Sequence, residues 1–230
     1  MTFNSLIHPL IFLASASPRR AQLLEQIGVP HRVRPIALDE TRLAGEPPAE
    51  YVIRLARAKA EALWATLGAA ERQPVLGADT TVAVDGDVLG KPADRNAGLR
   101  MLERLSGRTH QVFTAVALRH AAGCEHRLSV SEVTFRPLTA QECEAYWQTG
   151  EPVDKAGGYA VQGLAAVFIT QIAGSYSGIM GLPLAETAEL LAKTGWAPGS
   201  GLRASARPET TESDLQAACG RQPVSHGVRQ

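Results

Sequence analysis

The stretch PVLGADTTVAVDGDVLGKP, residues 74–92, constrains the fold of this 230-residue chain more than any other part. Two β-rich runs flank Asp85-Gly86, a dipeptide typical of the two-residue turn that joins antiparallel strands. Such a turn pairs residues whose numbers have a constant sum: Val84 with Asp87, Val82 with Leu89 and Thr80 with Lys91. A turn one residue longer would change all of these pairs.

Helical segments alternate with strands along the rest of the chain. The short helix in LASASPRRAQLLEQIG has Ser17 as N-cap, Pro18 at its first position and Gly28 after its last turn. Apolar spacing predicts further helices over residues 49–67, 94–107 and 139–147, and one that ends at 195. Further strands are expected at 110–120, 126–137 and 167–172. The pattern predicts an α/β fold with a mixed sheet.

Composition limits the classes of partner. The chain has 23 basic and 23 acidic residues, so no overall field favours nucleic acid or an anionic membrane. Cys124, Cys143 and Cys219 lie too far apart in the sequence for a zinc motif, which predicts reduced thiols in a cytoplasmic protein. LIHPLIFLASAS only faintly resembles a signal peptide, because it has no basic region and His8 and Pro9 interrupt it.

The composition changes after about Pro198. The last 33 residues are rich in Gly, Ser, Ala, Arg and Gln and contain few large apolar side chains. Such a segment has too little apolar surface to offset the entropy of ordering. We therefore expect one folded domain over residues 1–197 and a disordered tail over 198–230.

Two arginines lie in the first turn of the first helix, where the helix dipole disfavours cations. Arg19 and Arg20 are explained if an anion binds between them and the free amides of that turn. Ser15 and Ser17 can donate hydroxyl protons to the same anion. The alternative is that both arginines are solvated at the surface at little cost.

Lys59 lies on the apolar stripe of the 49–67 helix, in register with Val52, Leu55 and Leu63. A buried, unpaired ammonium is very costly, so this lysine either extends its amine to solvent or meets an anion. The second interpretation places Lys59 at the floor of a phosphate-binding cleft.

Asp79 follows the apolar run VLGA, and the hairpin register places Lys91 beside Asp79 and Thr80. A carboxylate at a strand end, next to a lysine, is a candidate catalytic pair. The alternatives are an Asx-turn at Asp79 and a surface lysine that protects a strand edge.

DKAGGYAVQG, residues 154–163, is a glycine-rich loop that allows close backbone approach to a ligand. It carries Asp154 and Lys155, and Gln162 has the donors and the acceptor needed to read a pyrimidine edge. A plain turn is the alternative. The chain has no GxxxxGK[ST] run, no GxGxxG after a strand and no GxSxG elbow.

Five ordered motifs together resemble the Maf family of nucleoside triphosphate pyrophosphatases over roughly residues 11–195. They are LASASPRRAQLLEQIG, GADTTV…VLGKP, LSGRTHQVFTAVAL, DKAGGYAVQG and GSYSGIMGLPLAET. DKAGGYAVQG is similar to the branch that acts on dTTP and UTP, and the 7-methyl-GTP branch differs there. The departures are SAS where SGS is common and Gly158 where alanine is frequent, and neither removes a polar group.

The resemblance implies an elongated mixed α/β fold with a deep nucleotide cleft, Mg²⁺ or Mn²⁺ as cofactor, and often a homodimer. It places the proton acceptor at Asp79. It also assigns the other positions by role: base selection at Arg19, Thr80 and Gln162, phosphate binding at Ser15, Arg20, Lys59 and Lys91, with Ser17 added from the helix argument, and metal binding at Glu40 and Asp79.

The expected reaction is attack of water on the α-phosphorus, giving a nucleoside monophosphate and diphosphate. Whether Asp79 acts mainly as base or as metal ligand stays open, and we expect nearby cations to keep its pKa low. Two alternatives remain at this point. One is a nucleotide-binding regulator of cell division with weak hydrolysis, and the other is the same reaction on 7-methyl-GTP.

Overall fold

The structure is a computed structural model that describes residues 10–197. Its sheet has seven strands in the order β2-β1-β3-β5-β6-β7, with β4 paired to β3. The strands are β1 Ile11–Leu13, β2 His31–Val33, β3 Val75–Val84, β4 Asp87–Leu89, β5 Thr109–His120, β6 Gly123–Phe135 and β7 Ile169–Ala173. β1 runs parallel to β2 and β3, and the other pairs are antiparallel. The predicted mixed sheet is confirmed.

Six α-helices accompany the sheet within residues 10–197: α1 Pro18–Gln26, α2 Pro48–Thr66, α3 Arg95–Leu105, α4 Ala140–Gln148, α5 Tyr176–Met180 and α6 Leu184–Ala192. The predicted caps of two of them form: Asp94 accepts from the Ala97 amide, and Thr139 makes a capping box with Glu142. Ser17 is the N-cap of α1 but makes no side-chain capping bond, contrary to expectation. α5 was not predicted, because its single turn gives no apolar period.

The hairpin register is confirmed at the turn and wrong beyond it. Val84 pairs with Asp87 and Val82 pairs with Leu89, as the Asp85-Gly86 turn predicts. β4 ends at Leu89, however, and the Gly90 carbonyl accepts from the Gly157 amide. The expected pair of Thr80 with Lys91 does not form, and Thr80 pairs with Thr114 of β5.

The buried side chains fall into three clusters. Two lie on opposite faces of β1, β3 and β5, and we name them together the α2 side: α1 and α6 pack on one face through residues such as Leu13 and Leu76, and α2 packs on the other through residues such as Ala56. We name the third cluster the α4 side. The α4 side packs α3 and α4 on β5 and β6 around Phe135 and Phe168. The α4 side is the more aromatic of the two sides, and its rings pack edge to face.

α2 packs unusually close to β3. A Cβ built at Gly77 would lie 2.3 Å from the Ala56 carbonyl oxygen and 2.8 Å from the Ala60 nitrogen. Only glycine fits this contact, since both neighbouring atoms belong to the helix backbone. The contact places Lys59, the α2 residue before Ala60, over Asp79. Asp79 lies in the middle of β3 and pairs with Ala115 of β5, so the expectation that it lies at a strand end was wrong.

No helix within residues 10–197 has the length and apolar character needed to cross a membrane. Cys124 and Cys143 are free thiols, as predicted. The third cysteine, Cys219, and the expected tail over 198–230 lie outside the described residues.

Candidate functional site

A cleft of about 770 Å³ opens between the α2 side and the α4 side. Its lining comes from the β1–α1 connection and the first half of α1, from α2, β3 and β5, and from the segments 35–40, 90–91, 154–162 and 179–181. Every site residue predicted from the sequence contributes to this lining: Ser15, Ser17, Arg19, Arg20, Glu40, Lys59, Asp79, Thr80, Lys91 and Gln162. A depression of about 320 Å³ on the outer face of α2 is lined by none of them.

Lys59 joins two carboxylates at the floor of the cleft. Its Nζ lies 2.7 Å from Asp79 Oδ1 and 2.7 Å from Glu40 Oε1. Lys59 and Asp79 are each only 7% exposed, whereas the Glu40 side chain is 49% exposed. The amine therefore does not extend to solvent but forms a buried ion pair, which excludes the snorkelling interpretation.

The pKa values of the two carboxylates shift in opposite directions. Burial raises the pKa of Asp79, against the opposing charges of Lys59 and Arg20. This corrects our expectation of a low pKa, because desolvation of the carboxylate outweighs the cations. Burial also acts on Glu40, but the hydrogen bond and charge of Lys59, with the charge of Lys91, leave its pKa below the usual value.

Arg20 binds three segments of the protein at once. Its Nε donates to the Gly181 carbonyl at 2.7 Å, Nη1 to Ser15 Oγ at 3.0 Å and Nη2 to Thr80 Oγ1 at 3.2 Å. Its partly buried guanidinium is thus no solvated surface group, and burial lowers its pKa. Three of its five N–H groups are used, which leaves two for an anion.

Arg19 differs from its neighbour. Within residues 10–197 it makes no hydrogen bond or ion pair, although it lines the cleft. Ser17 also faces the cleft, where its amide donates to Ser15 Oγ at 3.2 Å. The first turn of α1 therefore presents one arginine held by the protein and one available to a ligand.

A chain of hydroxyl groups, missed by the sequence analysis, orients Thr80. Thr114 Oγ1 lies 3.0 Å from Thr80 Oγ1 and 2.7 Å from the Gly178 carbonyl. Because a carbonyl only accepts and a hydroxyl has one proton, Thr114 donates to Gly178 and accepts from Thr80. Thr80, which also accepts from Arg20, can offer a ligand only a lone pair. The signal in the sequence was Thr114 itself, a polar residue within the apolar run VFTAVAL.

The opposite wall of the cleft is the 154–162 loop. Gly157 has φ of +70°, and a Cβ there would lie 2.9 Å from the Val82 side chain, so this glycine lets the loop pack on β3. Asp154 and Lys155 form an ion pair with each other. Gln162 is exposed, and within the described part of the chain its amide makes no hydrogen bond.

The two carboxylates suit a metal only in part. Among residues 10–197 no three His, Cys, Asp or Glu side chains cluster closely enough to hold a metal ion. Glu40 and Asp79 nevertheless face the same ammonium group, and Mg²⁺ in proteins is commonly held by one or two carboxylates together with phosphate oxygens and water. This donor set fits a hard divalent cation shared with a phosphate ligand and does not fit an all-protein metal site.

The fold and the cleft define a mixed α/β protein in which cations surround a buried carboxylate. The sequence matches the family described as "Maf-like protein" over residues 10–194. The chain therefore belongs to the Maf-like family, as its motifs predicted.

Two relatives extend the comparison. A dTTP/UTP pyrophosphatase of Pseudoalteromonas atlantica is 53% identical over 185 residues, which cover 80% of this chain and 96% of the relative. A dTTP/UTP pyrophosphatase of Bordetella avium is 51% identical over 193 residues, covering 81% and 96%. The solved Staphylococcus aureus Ham1 protein superposes with a TM-score of 0.39 at 16% identity, over 55% of this chain and 71% of that chain.

Proposed function

We propose that the protein hydrolyses dTTP and UTP to the monophosphate and diphosphate. The observation that carries the proposal is the Lys59 bridge between Asp79 and Glu40, in a cleft that is also lined by the cations Arg19, Arg20 and Lys91 and by the hydroxyls of Ser15, Ser17 and Thr80. Relatives that are half identical in sequence and named dTTP/UTP pyrophosphatase support the choice of substrates.

The triphosphate binds on the α2 side of the cleft. Arg19, Lys91 and the two free N–H groups of Arg20 neutralise its charge, together with Lys59. Ser15 and Ser17 add hydroxyl donors at the first turn of α1. These groups also stabilise the negative charge that grows on the departing diphosphate.

Asp79 acts on the attacking water. The water oxygen bonds to the α-phosphorus, the bond from that phosphorus to the bridging oxygen of the diphosphate breaks, and the water proton passes to the Asp79 carboxylate. Lys59 holds that carboxylate in place through its 2.7 Å contact. A divalent cation, Mg²⁺ or Mn²⁺, held by Glu40, Asp79 or both, would add further neutralisation of the triphosphate.

The base lies toward the 154–162 loop. Gln162 reads its edge with a free amide, Arg19 borders it, and Thr80 offers an acceptor lone pair. Uracil and thymine carry a ring N–H that such an acceptor can bind, whereas cytosine lacks a proton at that nitrogen. The hydroxyl chain through Thr114 therefore favours the two bases named in the relatives.

Location, assembly and domain limits complete the proposal. We expect a cytoplasmic enzyme, active as a homodimer, whose activity resides in residues 1–197. Light scattering of the purified protein measures the assembly state.

The test is a rate panel for diphosphate release from dTTP, UTP, CTP, GTP and 7-methyl-GTP, with Mg²⁺, Mn²⁺ or a chelator. The proposal expects the highest kcat/KM for dTTP and UTP and loss of activity with the chelator. Tight UTP binding without release would support a nucleotide-binding regulator instead. Preference for 7-methyl-GTP would contradict the assigned substrates while leaving the reaction intact.

A further inference from the structure

A pair of residues outside the cleft holds the Gln162 segment at both ends. Glu151 accepts a hydrogen bond from the Leu164 amide at 2.9 Å and one from Tyr146 Oη at 2.7 Å. Tyr146 Oη in turn accepts from the Ala160 amide at 3.2 Å. The backbone on either side of Gln162 is thus bound to one side-chain network.

The network leaves little free space around the segment. A Cβ built at Gly163 would lie 2.2 Å from Glu151 Oε2, so even one methyl group at that position would displace the carboxylate. Tyr146 is buried on the α4 side, where it packs edge to face against Phe168. The network therefore joins the buried core at Tyr146 to the half-buried Glu151 and the exposed Leu164.

Rigidity matters here because an amide side chain discriminates poorly by itself. A glutamine can rotate its amide by half a turn and exchange donor for acceptor, which would serve cytosine as well as uracil. Discrimination then depends on fixed surroundings that make one orientation better than the other. The backbone at residues 160–164 supplies those surroundings.

We propose that Glu151, acting through Tyr146 and the Leu164 amide, is a positioning residue for nucleobase selection. It touches neither the base nor the phosphates, and it keeps the Gln162 backbone at a fixed distance from β3. The inference rests on the proposed function, since it takes Gln162 to contact the base.

The experiment measures binding, so that it does not depend on hydrolysis. Dissociation constants for non-hydrolysable α,β-imido analogues of UTP and CTP are compared by calorimetry, with inorganic diphosphate as a probe of the phosphate subsite. The Glu151 carboxylate accepts from Tyr146 Oη and from the amides of Leu164 and Ala165. In Glu151→Gln at least one of these donors meets an NH₂ group, and the UTP-over-CTP preference is expected to fall about tenfold. Affinity for diphosphate should change by less than about twofold, because the α2 side is untouched.

Glu142→Gln is the matched control. Glu142 forms the capping box of α4, the helix that carries Tyr146, and pairs with Arg136. Its hydrogen bonds do not involve residues 160–164. A general loss of stability would alter both variants alike, whereas the proposal expects Glu142→Gln to retain the base preference.

Gly163→Ala and Tyr146→Phe repeat the test if Glu151→Gln does not fold. Both should lose the preference, and Gly163→Ala combined with Glu151→Gln should lose no more than either alone. An unchanged preference in all folded variants overturns the proposal, as does equal affinity of the unmodified protein for the two analogues. Absence of diphosphate release by a protein that still prefers the UTP analogue would overturn only the hydrolytic function.

Discussion

The two walls of the cleft present different chemical groups to a ligand. The α2 side of the cleft presents charged side chains, with Lys59 buried between two carboxylates and Arg20 bound to three segments. The α4 side presents the 154–162 loop, with the side-chain amide of Gln162 exposed. Under the proposed function, we expect loss of charge to impair phosphate binding most and a change of loop shape to impair base selection most.

The largest expected effect is on the α2 side at Asp79. Asp79→Asn keeps the size of the side chain but removes the proton acceptor, so turnover should fall about a hundredfold or more. Circular dichroism should show that the protein remains folded. Asp87→Asn, at an exposed carboxylate paired with Arg104, is the control and should retain activity. Near-normal turnover of folded Asp79→Asn would remove Asp79 from the mechanism.

Lys59→Met tests the same wall through stability. It leaves the Asp79 carboxylate buried without its ion pair, which should reduce the free energy of unfolding by about 3 kcal/mol. Adding Asp79→Asn should restore most of the loss, because the uncompensated charge is then gone. Lys193→Met, at an exposed pair with Glu125, should cost less than about 1 kcal/mol. Urea denaturation measures all three, and equal costs for the two single variants would contradict a buried pair.

The α4 side should respond to pH instead. Burial lowers the pKa of His110, which bonds to Tyr159 Oη, to about 4. Between pH 4 and the usual histidine pKa of about 6.5, His110 is protonated in the unfolded chain but neutral in the folded protein. The free energy of unfolding should therefore fall as the pH falls from about 6.5 to 4, by about 3 kcal/mol in total.

The control for this pH effect is His110→Asn, which keeps a polar partner for Tyr159 but does not titrate. Its stability should be nearly flat over that interval. On the α2 side, Glu46 has a pKa of about 2 through its hydrogen bonds to Arg54, so its contribution is present above about 4.3 and lost only at lower pH. Denaturation curves at pH 7, 5.5 and 4 separate the contributions of His110 and Glu46. If the free energy of unfolding of His110→Asn changes with pH as steeply as that of the unmodified protein, His110 is not the cause.

A smaller effect is expected when the base contact itself is removed. Gln162→Ala should lower the preference for dTTP and UTP over CTP by about tenfold, with kcat for UTP changed much less. Gln171→Ala, on β7 and away from the cleft, should leave the preference as it is. An unchanged preference in Gln162→Ala would remove this residue from base recognition.

The smallest effect is expected outside both walls. Among residues 10–197, those that line the cleft fall in the 14–181 range. Deletion of residues 199–230 should therefore leave kcat/KM unchanged within about twofold. A large loss of activity would show that the domain extends beyond 197.

Sequence reasoning succeeded where one residue type has few alternatives. For Lys59 on an apolar stripe, the sequence left solvent or an anion as the partner of the amine, and the structure places two carboxylates beside it. The Asp85-Gly86 turn predicted its two nearest strand pairs correctly. Capping side chains at Asp94 and Thr139 marked helix starts, because unpaired amides at a helix start have few available partners.

It failed where the outcome depended on contacts distant in sequence. The end of β4 depends on the Gly90–Gly157 hydrogen bond, which no local pattern announces. The pKa of Asp79 depends on how deeply tertiary packing buries it, and the role of Thr80 depends on Thr114, 34 residues away. The roles of the ten cleft residues remain predictions.

The contact at Gly77 has a consequence for how this chain can vary. The backbone of α2 contacts the backbone of β3 directly at Gly77. The distance between the chain segments that carry Lys59 and Asp79 is therefore set by a main-chain contact. A methyl group at that point would lift the helix and stretch the charge pair two residues further along. The missing side chain of one glycine thus sets the distance between α2 and β3 at the floor of the cleft.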